Sequence, residues 1–447
     1  MMPDKTAPAP ALARHLGLVS VTALVVGEVI AVGIFLTPAS MARSLGSPFW
    51  LLVVWVVMGA MALSGALCYG ELAARLPEAG GGYVYLRRAY GPAVAFLYGW
   101  KCLLVMDPGI TAALAVGLAS YVGYVVKLSA VGVKAVALGA VLTLAIVNIV
   151  GVRFGARLMQ WLTVLKVGAL LLMAVLAVVL GRGDWSNFVP FVAQRAGSTP
   201  LPGALAPALV GAFFAFGGWW EISKLGGEAR DPARTLPRAL ALGVAVITGL
   251  YILTSAVFLY LVPLDRVTDG ETFAAQAGEA LFGPAGGRVF AVVVIVAVLG
   301  SLLALLMALP RAYYAMARDG LFFKAVAALH PRYGTPALAI AIQATLASVL
   351  VLRADFGKIV AYFIFVTVFF VGLTVAGLFV VRRRDPAGSG YRTPGYPVTP
   401  VFFLVLVAGM LFLLAGHNPV EAAKGVGIVA LGVPVYYLAF RRGEGAQ

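Results

Sequence analysis

Four ionisable side chains lie inside long apolar segments of the chain. Glu28 lies in VVGEVIAVGIFLTP, Lys166 in MQWLTVLKVGALLLMAV, and Lys101 and Asp107 in GWKCLLVMDPG. If these segments cross a bilayer, an unpaired charge at the centre costs at least about 2.5 kcal/mol. Charges that persist at such positions bind ions or substrates, carry protons or form buried ion pairs. Each of the four residues therefore needs a partner or a function.

Glu28 allows three interpretations. Its carboxylate could form a static ion pair with Lys166 or Lys101, carry a coupled proton, or attract a cationic substrate. Lys101 and Asp107 are six residues apart, a spacing that does not place them on one face of a helix, so we expect no pair between them. One interpretation is a helix-entry lysine and an aspartate at the bend near Pro108, each with partners elsewhere. The other is that Asp107 is a proton-linked acid.

Glycines interrupt two of the apolar segments. Gly33 lies inside the first segment, and Gly217 and Gly218 lie side by side within the sixth. Glycine lowers helix propensity by about 1 kcal/mol, and unwound backbone at membrane depth is tolerated where it lines a cavity or is buried in protein. Matched interruptions in two halves are typical of inverted-repeat transporters, whose half-helix ends form the substrate site. Close helix packing is the alternative use of these glycines.

The elements that must position these residues are transmembrane helices. The 447 residues are 62% hydrophobic and 11% charged, too apolar to be hidden in one soluble core. We predict an all-α integral membrane protein of about twelve spans, because apolar runs of helix-spanning length recur along the chain. These spans are 16–39, 48–72, 93–124, 131–150, 157–180, 203–224, 238–262, 284–310, 336–353, 358–381, 399–416 and 422–440.

The net charge of +15 follows from membrane topology. With an even number of spans and the N-terminus inside, Lys and Arg in inner loops outnumber those in outer loops by roughly two to one. No nucleic-acid partner is therefore expected. We predict a multi-pass protein of the cytoplasmic membrane with both termini cytoplasmic, in which residues 1–15 form a tail without a cleavable signal pattern.

Enzyme chemistry has no support in the sequence. The three histidines, His15, His330 and His417, lie near predicted membrane edges, and no HExxH, GxSxG or phosphate-binding loop is present. Cys68 and Cys102 lie in apolar segments, where packing is their expected role. We predict no metal, no cofactor and no ATP hydrolysis, so uphill transport would need an ion or an exchanged solute.

Several stretches resemble signatures of one transporter superfamily. They are VIAVGIFLTP, CYGELAARLPEAGGGYVYLRRAYGP, FFAFGGWWEISKLGGEARDPARTLPRAL and YYAMARDGLFFKAVAALHPRYGTP. The chain resembles the amino acid–polyamine–organocation superfamily, and most closely the L-type amino acid transporter branch and its prokaryotic relatives. The resemblance implies a LeuT-type fold, with inverted repeats over 16–180 and 203–381, accessory helices over 399–440, and alternating access for an amino acid.

On the first helix, the resemblance assigns the substrate's backbone groups. It places the amides of Val32 and Gly33 at the carboxylate, and carbonyls near Val29 and Ile30 at the amine. Opened helix ends suit such a zwitterion, since they expose N–H groups toward an anion and C=O groups toward a cation. Ala31 replaces the usual glycine and Val32 the usual small polar residue, so a hydroxyl contact to the carboxylate is lost.

On the sixth helix, the resemblance assigns the residues around the substrate side chain. Phe214 matches the aromatic that closes over the substrate, and Gly217 matches the residue that leaves room for its side chain. Phe216, Gly218 and Trp219 continue the motif. Ordinary packing is the alternative role of Phe214 and Phe216.

Lys166 matches a lysine that stands where sodium-coupled relatives hold an ion and that bonds carbonyls of the opened first helix. This match implies sodium independence, and a snorkelling lysine is the alternative. Glu71 and Glu228 match acids that act as gates or structural residues in contact with inner arginines such as Arg75 or Arg230.

We therefore expect a sodium-independent exchanger or facilitator of neutral L-amino acids. A second hypothesis keeps the fold but couples transport to protons through Glu28 or Asp107, or moves cationic amino acids or polyamines. A third is a receptor that binds amino acids without moving them, against which the lack of a sizeable soluble domain argues. No motif suggests a partner subunit, and the oligomeric state is not predicted.

Overall fold

The computed structural model describes most of the chain. The described residues are 16–30, 33–78, 80–151, 156–227, 229–267, 272–386, 388 and 390–440. Two predicted site residues, Ala31 and Val32, lie outside this part, as does Glu228. The described chain folds into helices joined by turns and short 3-10 segments.

The α-helices follow the predicted spans closely. In chain order they are α1 Leu18–Val29, α2 Gly33–Leu45, α3 Pro48–Arg75, α4 Gly82–Tyr90, α5 Pro92–Lys101, α6 Asp107–Val125, α7 Ala130–Val150, α8 Ala156–Val179, α9 Leu201–Phe216, α10 Pro232–Leu261, α11 Phe273–Ala308, α12 Pro310–Arg318, α13 Ala337–Arg353, α14 Phe356–Arg384, α15 Val398–His417 and α16 Pro419–Ala439.

The number of spans can be compared with the prediction. Within the described chain, 10 helices are long and apolar enough to cross a membrane, and α1 with α2 would form an eleventh, bent span. The ninth predicted span corresponds to α13, an apolar helix of 17 residues. The all-helical membrane class is thus confirmed, while the count of twelve stays a prediction. The eighth predicted span, 284–310, agrees with the structure, because α11 is broken at the non-helical Gly283 (φ 71°, ψ −166°) and its second helix begins at Pro284.

The first span is broken as predicted, between Ile30 and Gly33. α1 and α2 meet at an angle of 48°, and Ile30 has left the helical conformation with ψ of 57°. Gly33 is the first residue of α2, and a β-carbon there would overlap the backbone of Ala215 in α9. Its missing side chain therefore allows two helices to touch.

The sixth span opens at the glycine pair. α9 ends at Phe216, Gly217 is extended with ψ of 141°, and Gly218 has a φ of +109° that favours glycine. A 3-10 helix, Trp219–Gly227, continues the span. Because α2 packs on α9 and α1 packs on both α10 and this 3-10 helix, the two breaks lie next to each other.

The third span contains a wide turn that the sequence did not predict. A π-helix, Cys102–Met106, joins α5 to α6. Insertions of this kind occur frequently at functional sites. Here the π-helix separates the two charged residues Lys101 and Asp107.

Candidate functional site

The two helix breaks meet at one place, which we call the seam: residues 28–30 and 33 of the first span together with residues 214–218 of the sixth. Gly33 touches Ala215 on one side of the seam. On the other side, a β-carbon at Gly218 would lie 3.4 Å from Cγ of Glu28. The structure therefore brings Glu28, Gly33, Gly217 and Gly218 together.

Helix ends give the seam its polarity. α1 and α9 both end there, so their C-terminal carbonyl ends carry partial negative charge, while α2 begins at Gly33 with a partial positive N-terminus. Ile30 lies beyond the last residue of α1, and its N–H donates to the carbonyl of Val26. Opposite charges a few residues apart are the arrangement that an amino acid zwitterion requires.

Tyr251 of α10 ties the two broken spans together. Its hydroxyl lies 2.8 Å from the carbonyl oxygen of Ala215 and 3.2 Å from that of Val29. The side chain is fully buried, and its ring packs edge-on against Trp55 and Phe216. A single hydroxyl thus serves carbonyls at the ends of both half-helices, and no local sequence signal predicts this role.

Phe214 and Phe216 face different surroundings. Phe214 makes edge contacts with Phe356 and Phe363 of α14, with ring centroids 5.6 and 6.2 Å away. Phe216 lies two residues later, about 200° around the helix, and packs instead against Trp55 and Tyr251. Phe214 is therefore placed to move with α14, whereas the Phe216 side chain is a packing residue.

The Trp219 side chain also packs away from the seam. It is 2% exposed, lies beside Gly65 of α3 and makes an edge contact with Tyr69. The left-handed turn at Gly218 directs it toward α3. A contact of Phe216 or Trp219 with a substrate stays a prediction.

Lys166 of α8 has a defined partner. Its ammonium donates to the hydroxyl of Ser301 in α11 at 2.8 Å, and the lysine is 4% exposed. One turn earlier, Thr163 lies against Gly27 of α1, where a β-carbon would be 2.6 Å from the Thr163 oxygen. A fixed positive charge thus lies between α8 and α11, close to α1. Because Ala31 and Val32 lie outside the described residues, the expected bond from Lys166 to carbonyls of the opened first helix stays a prediction.

Asp107 and Lys101 have separate partners, as expected. One carboxylate oxygen of Asp107 accepts a short hydrogen bond from the hydroxyl of Tyr313, and its other oxygen is buried without a described partner. The Lys101 ammonium lies 2.9 Å from the Met106 sulfur and 4.6 Å from the centre of the Tyr98 ring. Both residues are 1% exposed.

These contacts exclude the static ion pairs considered for Glu28. In the described part of the chain, Lys166 and Lys101 are bonded to Ser301 and Met106, and neither lies within ion-pair distance of Glu28. The charges that act on Glu28 are those of Glu221 and Lys224 on the 3-10 helix. Since these two residues form an ion pair with each other, Glu28 has no counter-ion of its own among the described residues.

Comparisons with known proteins agree with this geometry. The sequence model of the amino acid permease family matches residues 16–440. The chain is 31% identical over 435 residues to the serine/threonine exchanger SteT of Bacillus subtilis, covering 95% of this chain and 97% of the relative. It is 28% identical to the human large neutral amino acids transporter small subunit 2, over 96% of this chain and 81% of that protein. It is 30% identical to the human b(0,+)-type amino acid transporter 1, over 83% of this chain and 76% of that protein.

A family match over nearly the whole chain, together with two broken spans that meet at a polar seam, identifies the molecule. The chain belongs to the amino acid permease family of the amino acid–polyamine–organocation superfamily, close to its L-type branch, and is a multi-pass membrane transporter rather than an enzyme.

Proposed function

We propose that the chain moves neutral L-amino acids across the cytoplasmic membrane by sodium-independent exchange or facilitated transport. The names of the relatives supply the substrate class, since they include a serine/threonine exchanger and a large neutral amino acids transporter. Residues 16–180 and 203–381 would act as the inverted repeats of alternating access, with 399–440 as accessory helices and both termini cytoplasmic.

The seam supports an amino acid as the substrate. The N-terminus of α2 at Gly33 would hold the carboxylate, and the carbonyl ends of α1 and α9 would hold the ammonium. Phe214, in contact with α14, would close over the substrate, and the space at Gly217 would take the side chain.

The observation that carries sodium independence is the bond between Lys166 and Ser301. The Lys166 ammonium lies between α8 and α11, where it would repel a cation bound at short range by several kcal/mol, by order of magnitude. The same charge would hold α1 in place through its neighbour Thr163.

Reconstituted vesicles test the proposal. With unlabelled L-serine or L-leucine inside, we expect uptake of the labelled amino acid that is unchanged when sodium is replaced by choline. Exchange further requires that emptying the vesicles lowers uptake, whereas a facilitator would still equilibrate the label. Strict dependence on sodium would refute the proposal.

A lysine substitution links the assay to the structure. Lys166→Met should reduce uptake at least about tenfold, because the Ser301 contact and the buried charge are both lost. Lys134→Met is the matched control, because Lys134 is exposed and bonds the Leu352 carbonyl at a helix end. Equal uptake by the two variants would contradict a role for Lys166.

Proton coupling is the second candidate, and one observation favours it. The buried oxygen of Asp107 without a described partner could hold a proton that Tyr313 and the solvent exchange. Under this alternative an inward proton gradient accelerates uptake, and Asp107→Asn or Glu28→Gln abolishes the acceleration. Uptake of labelled L-lysine or putrescine would instead indicate the cationic alternative, and binding without flux would indicate a receptor.

A further inference from the structure

Glu28 is the one acid whose side chain reaches the seam from the first span. It lies on the last turn of α1, and its Cγ, Cδ and Oε1 atoms are 3.4, 3.9 and 3.9 Å from where a β-carbon of Gly218 would be. The residue is only partly buried, as are Gly217 and Gly218 beside it. Its carboxylate lies at the point where the two breaks meet.

The groups around Glu28 favour the binding of a cation. Both helix ends beside it, those of α1 and α9, present carbonyl groups with partial negative charge. Glu221 adds a second carboxylate on the 3-10 helix, and one of its oxygens is buried without a described partner. Lys224 pairs with Glu221, while Lys166 of α8 is bonded to Ser301. Among the described residues around Glu28, both lysines thus have partners, and the Glu28 carboxylate is paired with neither.

Tyr251 changes which acceptors a substrate ammonium can use. Its hydroxyl lies within hydrogen-bond distance of the Val29 and Ala215 carbonyls, so it takes up part of their capacity to accept hydrogen bonds. An ammonium has three N–H donors to satisfy, and a buried donor left without a partner costs about 1 to 3 kcal/mol. Glu28, one residue before Val29, supplies an acceptor at the same end of the seam.

We propose that the Glu28 carboxylate binds the α-ammonium of the substrate, so that this transporter recognises the amine through a side chain and not only through the carbonyls of opened helices. The proposal rests on the proposed function, because it needs an amino acid at the seam. The α-ammonium is favoured over a cationic side chain, since Glu28 lies at the carbonyl end of α1, whereas the carboxylate end at Gly33 and the aromatic ring of Phe214 lie on other sides.

The test compares amino acids with analogues that lack the amine. Binding to purified protein is measured for two pairs of ligands, each an amino acid and the hydroxy acid that replaces its amine. The pairs are L-serine with L-glycerate, and L-leucine with L-2-hydroxyisocaproate. Glu28→Gln should weaken binding of the transported amino acid at least about tenfold, because a charge-assisted hydrogen bond is lost, and should leave the hydroxy acid within about twofold of wild type. Glu28→Asp should recover part of the loss.

Controls separate this proposal from the others. Glu78→Gln removes a carboxylate from an exposed inner loop and should not change binding of either ligand. Thermal unfolding of each variant in detergent confirms that Glu28→Gln is folded. If folded Glu28→Gln binds the amino acid as tightly as wild type does, the proposal is wrong. If that variant also loses uptake driven by a proton gradient, Glu28 is a proton carrier instead. An equal loss for amino acid and hydroxy acid also refutes it. If wild type binds neither amino acid, the proposed function fails first.

Discussion

Tyr251 shows how one hydroxyl can set the geometry of the seam. It serves carbonyls at the ends of α1 and α9, two half-helices that would otherwise be held together at this point only by packing. In alternating access these half-helices must tilt, so the bridge must be kept or broken in each cycle. A residue of this kind would influence rate and affinity together.

We predict that Tyr251→Phe lowers transport at least about fivefold, because two buried carbonyls lose their donor at a cost of about 1 to 3 kcal/mol. The ring remains, so packing against Trp55 and Phe216 is retained. Initial rates of labelled amino acid uptake in vesicles give the measurement. Tyr362→Phe is the control, since Tyr362 donates to the Leu104 carbonyl away from the seam. Normal transport by Tyr251→Phe would show that the bridge is incidental.

At the scale of elements, the close contact of α2 and α9 depends on a glycine. A β-carbon at Gly33 would overlap backbone atoms of Ala215, which cannot move aside as a flexible side chain can. We predict that Gly33→Ala separates the two half-helices and lowers stability by about 1 to 3 kcal/mol, the range of overpacked sites. Transport should fall further than stability, because the seam itself is displaced.

Gly139→Ala is the matched control for that substitution. Gly139 lies inside α7 with open space around its α-carbon, so alanine there should be neutral or slightly stabilising, given its higher helix propensity. Thermal unfolding in detergent and uptake in vesicles are measured for both variants. A similar effect of the two substitutions would mean that the contact with Ala215 does not matter.

The same elements show what could be predicted from sequence. Apolar length located the spans, and glycine chemistry located both breaks to within three residues, since these signals are local. The bridge of Tyr251 could not be predicted, because its partners lie 222 and 36 residues away and nothing nearby distinguishes this tyrosine from a packing residue. Ser301, which bonds Lys166 across 135 residues, was missed for the same reason.

For the whole molecule, a buried acid connects distant parts of the chain. Glu71 of α3 is fully buried and accepts hydrogen bonds from Arg75 at 2.8 Å, from Arg382 of α14 at 2.8 and 2.5 Å, and from Thr393 at 2.7 and 2.8 Å. The contact with Arg75 confirms the sequence expectation. Arg382 also lies over the ring of Tyr396 at 3.6 Å.

This cluster therefore fastens α3 to α14 and to the segment that leads to α15. α14 is also the helix whose Phe356 and Phe363 contact Phe214, so the cluster fixes one side of the element that faces the seam. A rigid connection here would hold one end of α14 in place, so that only the half that contacts Phe214 could move when a substrate binds. Such coupling depends on the buried charge of Glu71 remaining paired.

We predict that Glu71→Gln destabilises the protein by about 3 to 5 kcal/mol, because a buried ion pair broken on one side leaves the guanidinium groups uncompensated. Glu421→Gln removes a carboxylate from a more exposed pair with Lys424 and should cost no more than about 1 kcal/mol. Thermal unfolding in detergent compares the two variants at one pH and salt concentration. An unfolding temperature of Glu71→Gln that equals that of Glu421→Gln would show that α3 and α14 are held together by packing alone. Any coupling between the Glu71 cluster and the seam would then have to run through the apolar contacts of α14.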